Sequence, residues 1–450
     1  MKKIALSLAG VLAAAAFAPE ASAIPSFARQ TGMACSSCHY MKFPVLNGFG
    51  RAFKAAGYTM MGAQEKVEGE HLSIPAVLNG SVLFKYRFQQ FSGATSGTTA
   101  GAGKTAATSE YDGMWQMGDE ASLFFGGRIA ETEHFTIGFL NENNMVTGGI
   151  AGLRLPITVD MGVAKAVVVP FTTDALGVAY SFELSSGGVM RANRWAENRR
   201  ATSAIQYNAD RGGDGGAAAG TAFVVQNDMG FINFTKFSSS FAPGANGGGV
   251  PSTNYGQTYI RAAATPSIAG MDIVAGVGSE SGSSYGNLAG TQIETKQTFV
   301  DVQVHTTIVG MEAGIYAQHA NAPACTNAIN VTAAASTADL VTGVVTPEVL
   351  AVNGCAHNTG TLARTAFSIG GEISVIPHVL TIGGAYRDAK TGRKDNATGS
   401  SYTDKAATFT AVYDLTQNVA LHADYTYYGG SEAARANKTS EFLGMLEAAW

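Results

Sequence analysis

The stretch NVALHADYTYY, residues Asn418–Tyr428, decides the fold class because its side chains alternate in character along the chain. One set of alternate positions is apolar or aromatic and consists of Val419, Leu421, Ala423, Tyr425 and Tyr427. The other set is mainly polar and consists of Ala420, His422, Asp424, Thr426 and Tyr428. Successive side chains of a β-strand point to opposite faces, so this period of two predicts a strand with one apolar face. Ser81–Gln89 and Thr298–His305 show the same alternation.

Alternating segments of this kind fill the chain after about residue 77. We count about 16 of them, among which are 150–169 and 174–186. The connections between them mostly alternate between short and long. An example of a short one is 170–173, and an example of a long one is 321–361. Bacterial transmembrane barrels have an even number of antiparallel strands, short periplasmic turns and longer outer loops. A soluble β-sandwich also alternates, but its loops are rarely this long on one side only.

The composition favours a membrane barrel over other classes of protein. Only 14% of the 450 residues are charged, and after residue 23 no apolar run approaches the roughly 20 residues of a membrane helix. The 55 Gly residues lack the period of collagen, and the 46% apolar fraction excludes a disordered chain. A formal net charge of −5 gives no reason to expect nucleic acid as a partner. We therefore predict an all-β fold, an outer-membrane barrel of about 16 antiparallel strands over residues 76–450, ending on the aromatic Trp450 that is usual for such barrels.

The first 23 residues are typical of an export signal. Lys2 and Lys3 precede the apolar stretch Ile4–Phe17, and Ala21-Ser22-Ala23 supplies small residues for cleavage. About 14 apolar residues are too few to cross a bilayer, which favours a cleaved secretory signal over a buried helix or an anchor. We therefore expect the mature chain to begin at Ile24 and to work outside the cytoplasm.

Two of the four cysteines lie in the motif Cys35-Ser36-Ser37-Cys38-His39. Two thiols three positions apart and followed by His are what covalent attachment of a c-type haem requires, with the imidazole as proximal iron ligand. A redox Cys-x-x-Cys would not need His39, and a structural zinc site would need a fourth ligand, for which only His71 is nearby. We therefore predict one covalent haem c, attached to Cys35 and Cys38 and ligated by His39.

The residues after this motif predict a short helix that covers the haem. Within Phe43–Tyr58, the side chains of Leu46, Phe49 and Phe53 fall on one face and are the predicted haem-packing residues. Residues 24–75 carry more basic than acidic side chains, which would suit haem propionates or would simply be solvated. These basic residues are Arg29, Lys42, Arg51, Lys54 and Lys66. We interpret residues 24–75 as a small α-helical, single-haem cytochrome segment.

The distal iron ligand remains open between several residues. Met60 and Met61 lie just beyond the predicted helix, where a small c-type cytochrome often supplies a thioether. Their rivals are Met33, Met41 and His71. A Met in such a segment is more often a packing residue than a ligand, so the spacing does not choose among them.

Two cysteines and two histidines of the predicted barrel have candidate roles. Cys325 and Cys355 share one long predicted loop and have each other as a possible disulfide partner in an oxidising location. A ligand pair that includes His357 is the alternative. His305 and His422 fall on the lumen face near short turns, where they either belong to an ordinary polar lumen or face the docked haem.

The N-terminal stretches resemble the fused cytochrome–porin iron oxidases of iron-oxidising bacteria. The resemblance rests on IPSFARQTG (Ile24–Gly32), CSSCH (Cys35–His39) and FPVLNGFGRAFK (Phe43–Lys54), and the rest of the chain matches only in length and architecture. It implies a single-haem segment before an outer-membrane barrel that takes electrons from ferrous iron at the cell surface. It assigns no distal ligand, and other outer-membrane cytochrome–porin fusions are compatible with the same haem motif.

Together these features predict an outer-membrane Fe(II) oxidase that passes electrons from extracellular Fe(II) through its haem to a periplasmic c-type cytochrome. An even number of strands returns the C-terminus to the side of the haem segment, which is expected on the periplasmic side or within the lumen. The alternatives are a transport porin plugged by its haem, and a surface electron conduit with another donor or working in the reductive direction. The sequence predicts neither the residues of an Fe(II) site nor the oligomeric state.

Overall fold

The computed structural model describes most of the chain from residue 25 to residue 450. Outside the described residues are 1–24, 42–44, 63, 71, 93–112, 147–148, 175–176, 184–203, 206–216, 240–253, 286–291, 327, 339–344, 356 and 436–437. The predicted export signal and the candidate ligand His71 therefore lie outside the described residues.

The described residues form one closed antiparallel barrel of sixteen strands, which confirms the predicted all-β barrel. Three strands are interrupted, and at two of the interruptions a Pro removes a backbone donor from the ladder. The strands are Gly80–Ser92, Met114–Glu131, Phe135–Asn144, Ile150–Arg154 with Ile157–Asp160, Lys165–Thr173, Ala218–Asn227, Gly230–Ser238, Gln257–Ala264 with Ser267–Ile268, Met271–Tyr285, Gln292–Glu294 with Gln297–Ile308, Met311–Ala322, Arg364–Ile376, Leu380–Lys394, Ser401–Thr416, Val419–Gly429 and Ser440–Ala449.

Shorter elements accompany the barrel. Two-stranded hairpins are formed by Lys66–Gly69 with Leu72–Pro75 and by Ala328–Ala338 with Val345–Asn353. The helices are Ser26–Thr31, Gly48–Ala55 and Gly430–Arg435, and the 3-10 turns are Cys35–Ser37 and Val178–Ser181. Among the described residues, no helix is long and apolar enough to cross a bilayer.

The barrel closes between its first and last strands. Gly80–Ser92 pairs antiparallel with Ser440–Ala449, and Leu83 lies opposite Ala449. The backbones of Val82 and Trp450 exchange hydrogen bonds of 2.8 and 3.0 Å beside this ladder. The aromatic C-terminal residue therefore lies at the seam that removes the last free edge of the sheet.

Short and long connections lie at opposite ends of the barrel. Because the strands alternate in direction, the short turns at 309–310 and 417–418 share one end with Trp450 and with the start of the first strand at Gly80. The long connection 323–363 lies at the other end. The segment before residue 80 therefore enters the barrel at the end with the short turns.

The outer face of the wall is apolar and the inner face is polar. On one strand Val300 is 49% exposed, whereas its neighbour Asp301 is 6% exposed. His305 and His422 are both buried on the inner face, as the alternation predicted. An apolar exterior around a polar interior is the arrangement of a barrel that spans a membrane.

The prediction of one strand over 150–169 is wrong. Ile157–Asp160 and Lys165–Thr173 are separate strands joined by a turn, in which the amide of Met161 donates to the carbonyl of Ala164 at 2.9 Å. The carboxylate of Asp160 accepts a hydrogen bond from the amide of Gly162 at 2.8 Å. The Asp and Gly of this turn are hidden in the sequence by the apolar residues around them.

The predicted strand over 174–186 is also wrong, and the predicted turn at 170–173 is the end of a strand. The described part of this stretch forms the 3-10 turn Val178–Ser181, whose residues are all buried. It packs against inner-face aromatic residues of the wall, including Phe237 and Phe299. We call residues 177–183 the lumen segment.

Cys325 and Cys355, which are 30 positions apart in the sequence, are joined by a disulfide with their Cα atoms 5.9 Å apart. Replacing both with Ser should loosen this loop without unfolding the barrel, because Ala328–Ala338 and Val345–Asn353 pair only with each other among the described strands. Closing a loop of this length contributes roughly 3–4 kcal/mol through chain entropy. We expect faster proteolysis inside 323–363 with unchanged heat-dependent gel migration of the barrel. A lowered barrel melting temperature would contradict this local role.

Candidate functional site

Residues 25–41 and 45–62, which we call the N-terminal segment, lie inside the barrel at the end with the short turns. On one side Ser26 Oγ lies 2.7 Å from Ser81 Oγ on the first strand. Further round the wall, Thr158 Oγ1 donates to the carbonyl oxygen of Ala55 at 2.8 Å. These contacts fix the helical part of the segment against inner-face residues of the wall.

The opposite side of the N-terminal segment contacts other strands. The Tyr40 ring stacks on His305 with centroids 4.8 Å apart. Arg51 forms a two-pronged ion pair with Asp272 at 2.7 and 3.0 Å. Because wall residues contact the segment from several directions, the segment fills this end of the lumen as a plug. His305 faces the plug directly.

The Cys-x-x-Cys-His motif forms a tight turn held by backbone hydrogen bonds. Cys35–Ser37 is a 3-10 turn, and the amide of His39 donates to the carbonyl of Cys35 at 3.0 Å. The amide of Asn47 then donates to the carbonyl of Cys38 at 3.0 Å. This bond joins the motif to the start of the next helix.

The helix after the motif is shorter than predicted. It spans Gly48–Ala55 and not Phe43–Tyr58, because Asn47 forms its N-cap and accepts a hydrogen bond from the Gly50 amide at 2.9 Å. A capping side chain satisfies an amide that the first turn leaves without a partner, so the helix begins after Asn47.

Gly50 allows this helix to approach the motif closely. A Cβ at Gly50 would lie less than 3.0 Å from the carbonyl oxygen of Cys38. By contrast, a Cβ at Gly48 would meet only the end of the Arg51 side chain at 3.8 Å. A side chain at Gly50 would therefore collide with the backbone of the motif, whereas a side chain at Gly48 would not.

We expect Gly50→Ala to displace the helix from the motif and to reduce covalent haem attachment by about an order of magnitude, since the backbone itself must move. Gly48→Ala, in the same helix, is the matched control and should attach haem normally. The measurement is haem stain per protein on a denaturing gel. Equal staining of the two variants would show that the close approach is not needed.

One cavity collects most of the residues that the sequence singled out. Cys35, Cys38, His39, Leu46 and Phe53 all line a partly open, apolar cavity of about 110 Å³. Neither cysteine is in a disulfide, and burial together with the neighbouring Cys35 raises the pKa of the Cys38 thiol.

Phe49 is placed differently from the other two predicted packing residues. It is not a lining residue of the cavity, and 42% of its surface is exposed. Gly50, one position further along the helix, lines the cavity instead. The helix therefore turns Gly50 and Phe53 towards the cysteines, whereas Leu46 precedes the N-cap and is paired with His39 in a short β-bridge.

The candidate distal ligands are scattered. Met33 lines the cavity, whereas Met41 is buried against Val412 and Ala420 of the wall. Met60 and Met61 do not line the cavity, and the carbonyl of Met60 accepts a hydrogen bond from Gln30 at 2.8 Å. Of the described candidates, Met33 is thus the one that the fold brings to the cysteines.

The sequence analysis did not predict the charged cluster that lies above the plug. Glu183 of the lumen segment forms an ion pair with Arg261 of the wall at 2.5 Å, and Arg261 also pairs with Asp301 at 2.8 Å. The Tyr259 hydroxyl donates to Glu183 at 3.2 Å. These buried groups tie the lumen segment to two strands. Sequence analysis could find these residues only if a run of mixed apolar and acidic residues, such as 174–186, were recognised as a loop that folds into the lumen.

The lumen segment also contacts the plug. Lys54 Nζ lies 4.4 Å from the centre of the Phe182 ring. Burial, and next the positive charge of Arg154, lower the pKa of Lys54 to about 7, against an opposing effect of Glu183. Lys54 lines the cavity as well.

No set of three or more His, Cys, Asp or Glu among the described residues could hold a metal ion. His422 lies 3.9 Å from Glu447 and His357 lies 2.9 Å from Glu280, both as side-chain pairs.

No family model and no curated protein matches this chain. Several solved structures are similar in fold. The outer-membrane expressed OmpT of Vibrio cholerae has a TM-score of 0.47 and 11% identity over 86% of this chain and 100% of its own. The anion-selective porin from Comamonas acidovorans has a TM-score of 0.47 and 10% identity over 83% of this chain and 99% of its own. The outer membrane channel DcaP of Acinetobacter baumannii has a TM-score of 0.45 and 10% identity over 83% and 97%. At these values the likeness carries no argument about what this chain binds or transports.

Proposed function

We propose that this protein resides in the outer membrane, oxidises extracellular Fe(II) and passes the electrons through one covalent c-type haem to a periplasmic c-type cytochrome. The observation that carries the proposal is the convergence of Cys35, Cys38 and His39 on one apolar cavity inside a membrane-spanning barrel. The resemblance of residues 24–54 to the fused cytochrome–porin iron oxidases supports the choice of Fe(II) as donor.

The chemistry of the cavity fits a c-type haem. Two thiols on one turn are suited to form thioether bonds to the porphyrin edge, and His39 follows immediately as the proximal ligand. Leu46 and Phe53 supply an apolar wall, which suits the porphyrin face. Bound there, the haem would supply a one-electron carrier between Fe(II) and the periplasmic partner.

The depth of the cavity supports a role in electron transfer across the membrane. Leu140 lines the cavity and lies five residues beyond the strand start at Phe135. At about 3.4 Å per residue this is roughly 17 Å along the strand from the end with the short turns. Because barrel strands are tilted by about 35–45°, this corresponds to a depth of roughly 13 Å, and a redox centre there would lie within the insulating layer, which is about 30 Å thick.

The filling of the lumen favours electron transfer over solute transport. The N-terminal segment fills one end, and above it the lumen segment packs against the wall in a buried apolar cluster that includes Tyr180, Ile205 and Phe299. A transport porin needs a water-filled channel, and its lumen is polar for that reason. A haem-plugged transport porin is therefore the second candidate.

Anaerobic mixing of the purified, haem-loaded protein with Fe(II) near neutral pH tests the proposal. We expect the absorption bands of the haem to change to those of the ferrous form, while redox-silent Mn(II) at the same concentration leaves them unchanged. Absence of reduction by Fe(II) would overturn the iron-oxidase proposal. Reoxidation of the dithionite-reduced protein by Fe(III), without reduction by Fe(II), would indicate the reductive direction instead. Rapid solute uptake by liposomes that contain the wild-type protein would favour the porin.

A further inference from the structure

Arg154 is a buried cation with incomplete hydrogen bonding. It lies on the inner face of the strand Ile150–Arg154 and is 1% exposed. Its Nε and Nη1 atoms have no hydrogen-bond partner among the described residues. Burying a guanidinium without satisfying its donors is costly, so two open donors on one buried arginine call for an acceptor such as a bound ion or ligand.

The position of Arg154 relates it to the cavity of the cysteines. Arg154 lies directly opposite Leu140 in the antiparallel ladder, so both side chains project from the same face of the sheet. Leu140 lines the cavity. The guanidinium carbon of Arg154 lies 4.1 Å from the centre of the Tyr180 ring in the lumen segment. Arg154 is thus held between the cavity wall and the lumen segment.

Lys54 brings a second positive charge to the same place. It lines the cavity and lies against Phe182, two residues from Tyr180. The positive charge of Arg154 and burial both disfavour a charged Lys54, and they lower its pKa to about 7. Two cations close together in a low-dielectric interior repel each other unless an anion lies between them.

The nearby carboxylates already have other partners. Glu183 accepts from Arg261 at 2.5 Å and from the Tyr259 hydroxyl at 3.2 Å. Glu142 accepts from Ser122 at 3.1 Å. The hydrogen bonds of both carboxylates are therefore directed to groups other than Arg154 and Lys54.

We propose that Arg154 of the barrel wall and Lys54 of the plug bind the two propionate carboxylates of the haem. This inference rests on the proposed function, since it requires a haem on Cys35 and Cys38. Arg suits a carboxylate because its planar fork forms two parallel hydrogen bonds, and Lys adds a point charge. The haem would then be held covalently by the plug and electrostatically by the wall. Its binding would couple the docking of the N-terminal segment to the barrel.

The reduction potential of the haem tests this inference in the full-length, haem-loaded protein. Removing a positive charge beside a propionate favours the ferric form. In Arg154→Gln we expect the ferric-to-ferrous ratio at a fixed applied potential to rise about tenfold, which is about 59 mV for one electron. Arg154→Lys should recover most of this shift because it restores the charge. Lys54→Met should shift the ratio in the same direction as Arg154→Gln, and resonance Raman bands of the propionate bending modes should change in both.

Arg387→Gln is the matched control. Arg387 is also a buried inner-face arginine, but it pairs with Asp404 of the wall at 2.9 Å and is not a lining residue of the cavity. Its variant should keep the wild-type potential. Wild-type potential and propionate bands in Arg154→Gln and Lys54→Met, with haem stain intact, would overturn the inference and leave the proposed function standing. A wild-type protein without covalent haem stain would overturn the proposed function itself. If Arg154→Gln loses heat-dependent gel migration, Lys54→Met and Arg154→Lys decide the question.

Discussion

Cys38→Ala should lose covalent haem and, with it, any change of the absorption spectrum on addition of Fe(II). Cys38 lines the cavity beside His39, and no other cysteine of the chain lies there except Cys35. A single remaining thiol leaves the porphyrin attached at one edge at most, so the expected haem stain on a denaturing gel falls at least tenfold. The barrel should still fold, since its closure between the first and last strands does not involve the motif.

The chain offers a matched control for this variant. Cys325→Ser with Cys355→Ser removes the other two cysteines, which form a disulfide in a distant loop. That double variant should keep full haem stain and full reduction by Fe(II). Persistent covalent haem in Cys38→Ala would refute the attachment residue, and loss of haem in the Cys325 and Cys355 variant would point to a folding defect instead.

The alternation in the sequence was sufficient to predict a barrel, because a wall with lipid on one side and a polar lumen on the other imposes a period of two on every strand. Asn418–Tyr428 shows why: its outward residues are apolar, and its inward residues Ala420, His422, Asp424 and Thr426 are buried. The predicted number of strands equals the observed number only because two errors cancel. One predicted strand contains two, and another, 174–186, is not a strand.

The error at 174–186 has a clear physical origin. Residues that fold into a lumen are buried on all sides, so an inward loop carries as many apolar residues as a strand and lacks a clear period. The lumen segment, with Val178, Ala179 and Tyr180 buried, is such a case. Local pattern cannot distinguish burial in lipid from burial in the interior of the same barrel.

Some residues of the candidate site could be predicted from the sequence and others could not. The cysteine motif, His39, Leu46 and Phe53 are close in sequence, and local spacing was enough to associate them. Arg154 was not predictable, because it reaches the cavity only through its register opposite Leu140 on a neighbouring strand. Which methionine approaches the cysteines depends likewise on how the chain turns after the helix. Met60 and Met61, which follow the predicted helix, do not line the cavity, whereas Met33 does.

Arg261→Met should release the lumen segment and increase ion conductance through the barrel. Arg261 is 1% exposed and holds Glu183 at 2.5 Å and Asp301 at 2.8 Å, so its removal leaves two buried carboxylates without compensating charge. Breaking a buried ion pair by removing one partner costs about 3–5 kcal/mol. Outward movement of Glu183 relieves this cost most simply, because Asp301 is fixed in a strand whereas Glu183 belongs to a connection between strands. The expected result in planar bilayers is a conductance several times that of the wild-type protein.

Two further variants separate release of the lumen segment from general damage to the wall. Arg387→Met also breaks a buried arginine–carboxylate pair, but its partner Asp404 belongs to the neighbouring strand and not to the lumen segment. It should lower the stability of the barrel while leaving conductance near the wild-type value. The triple variant Arg261→Met, Glu183→Gln and Asp301→Asn removes all three charges together, so the buried site is again neutral and the lumen segment should return. If Arg261→Met conducts no better than Arg387→Met, the charged cluster does not hold the lumen closed, and the apolar packing of Tyr180 and Ile205 against the wall is sufficient by itself.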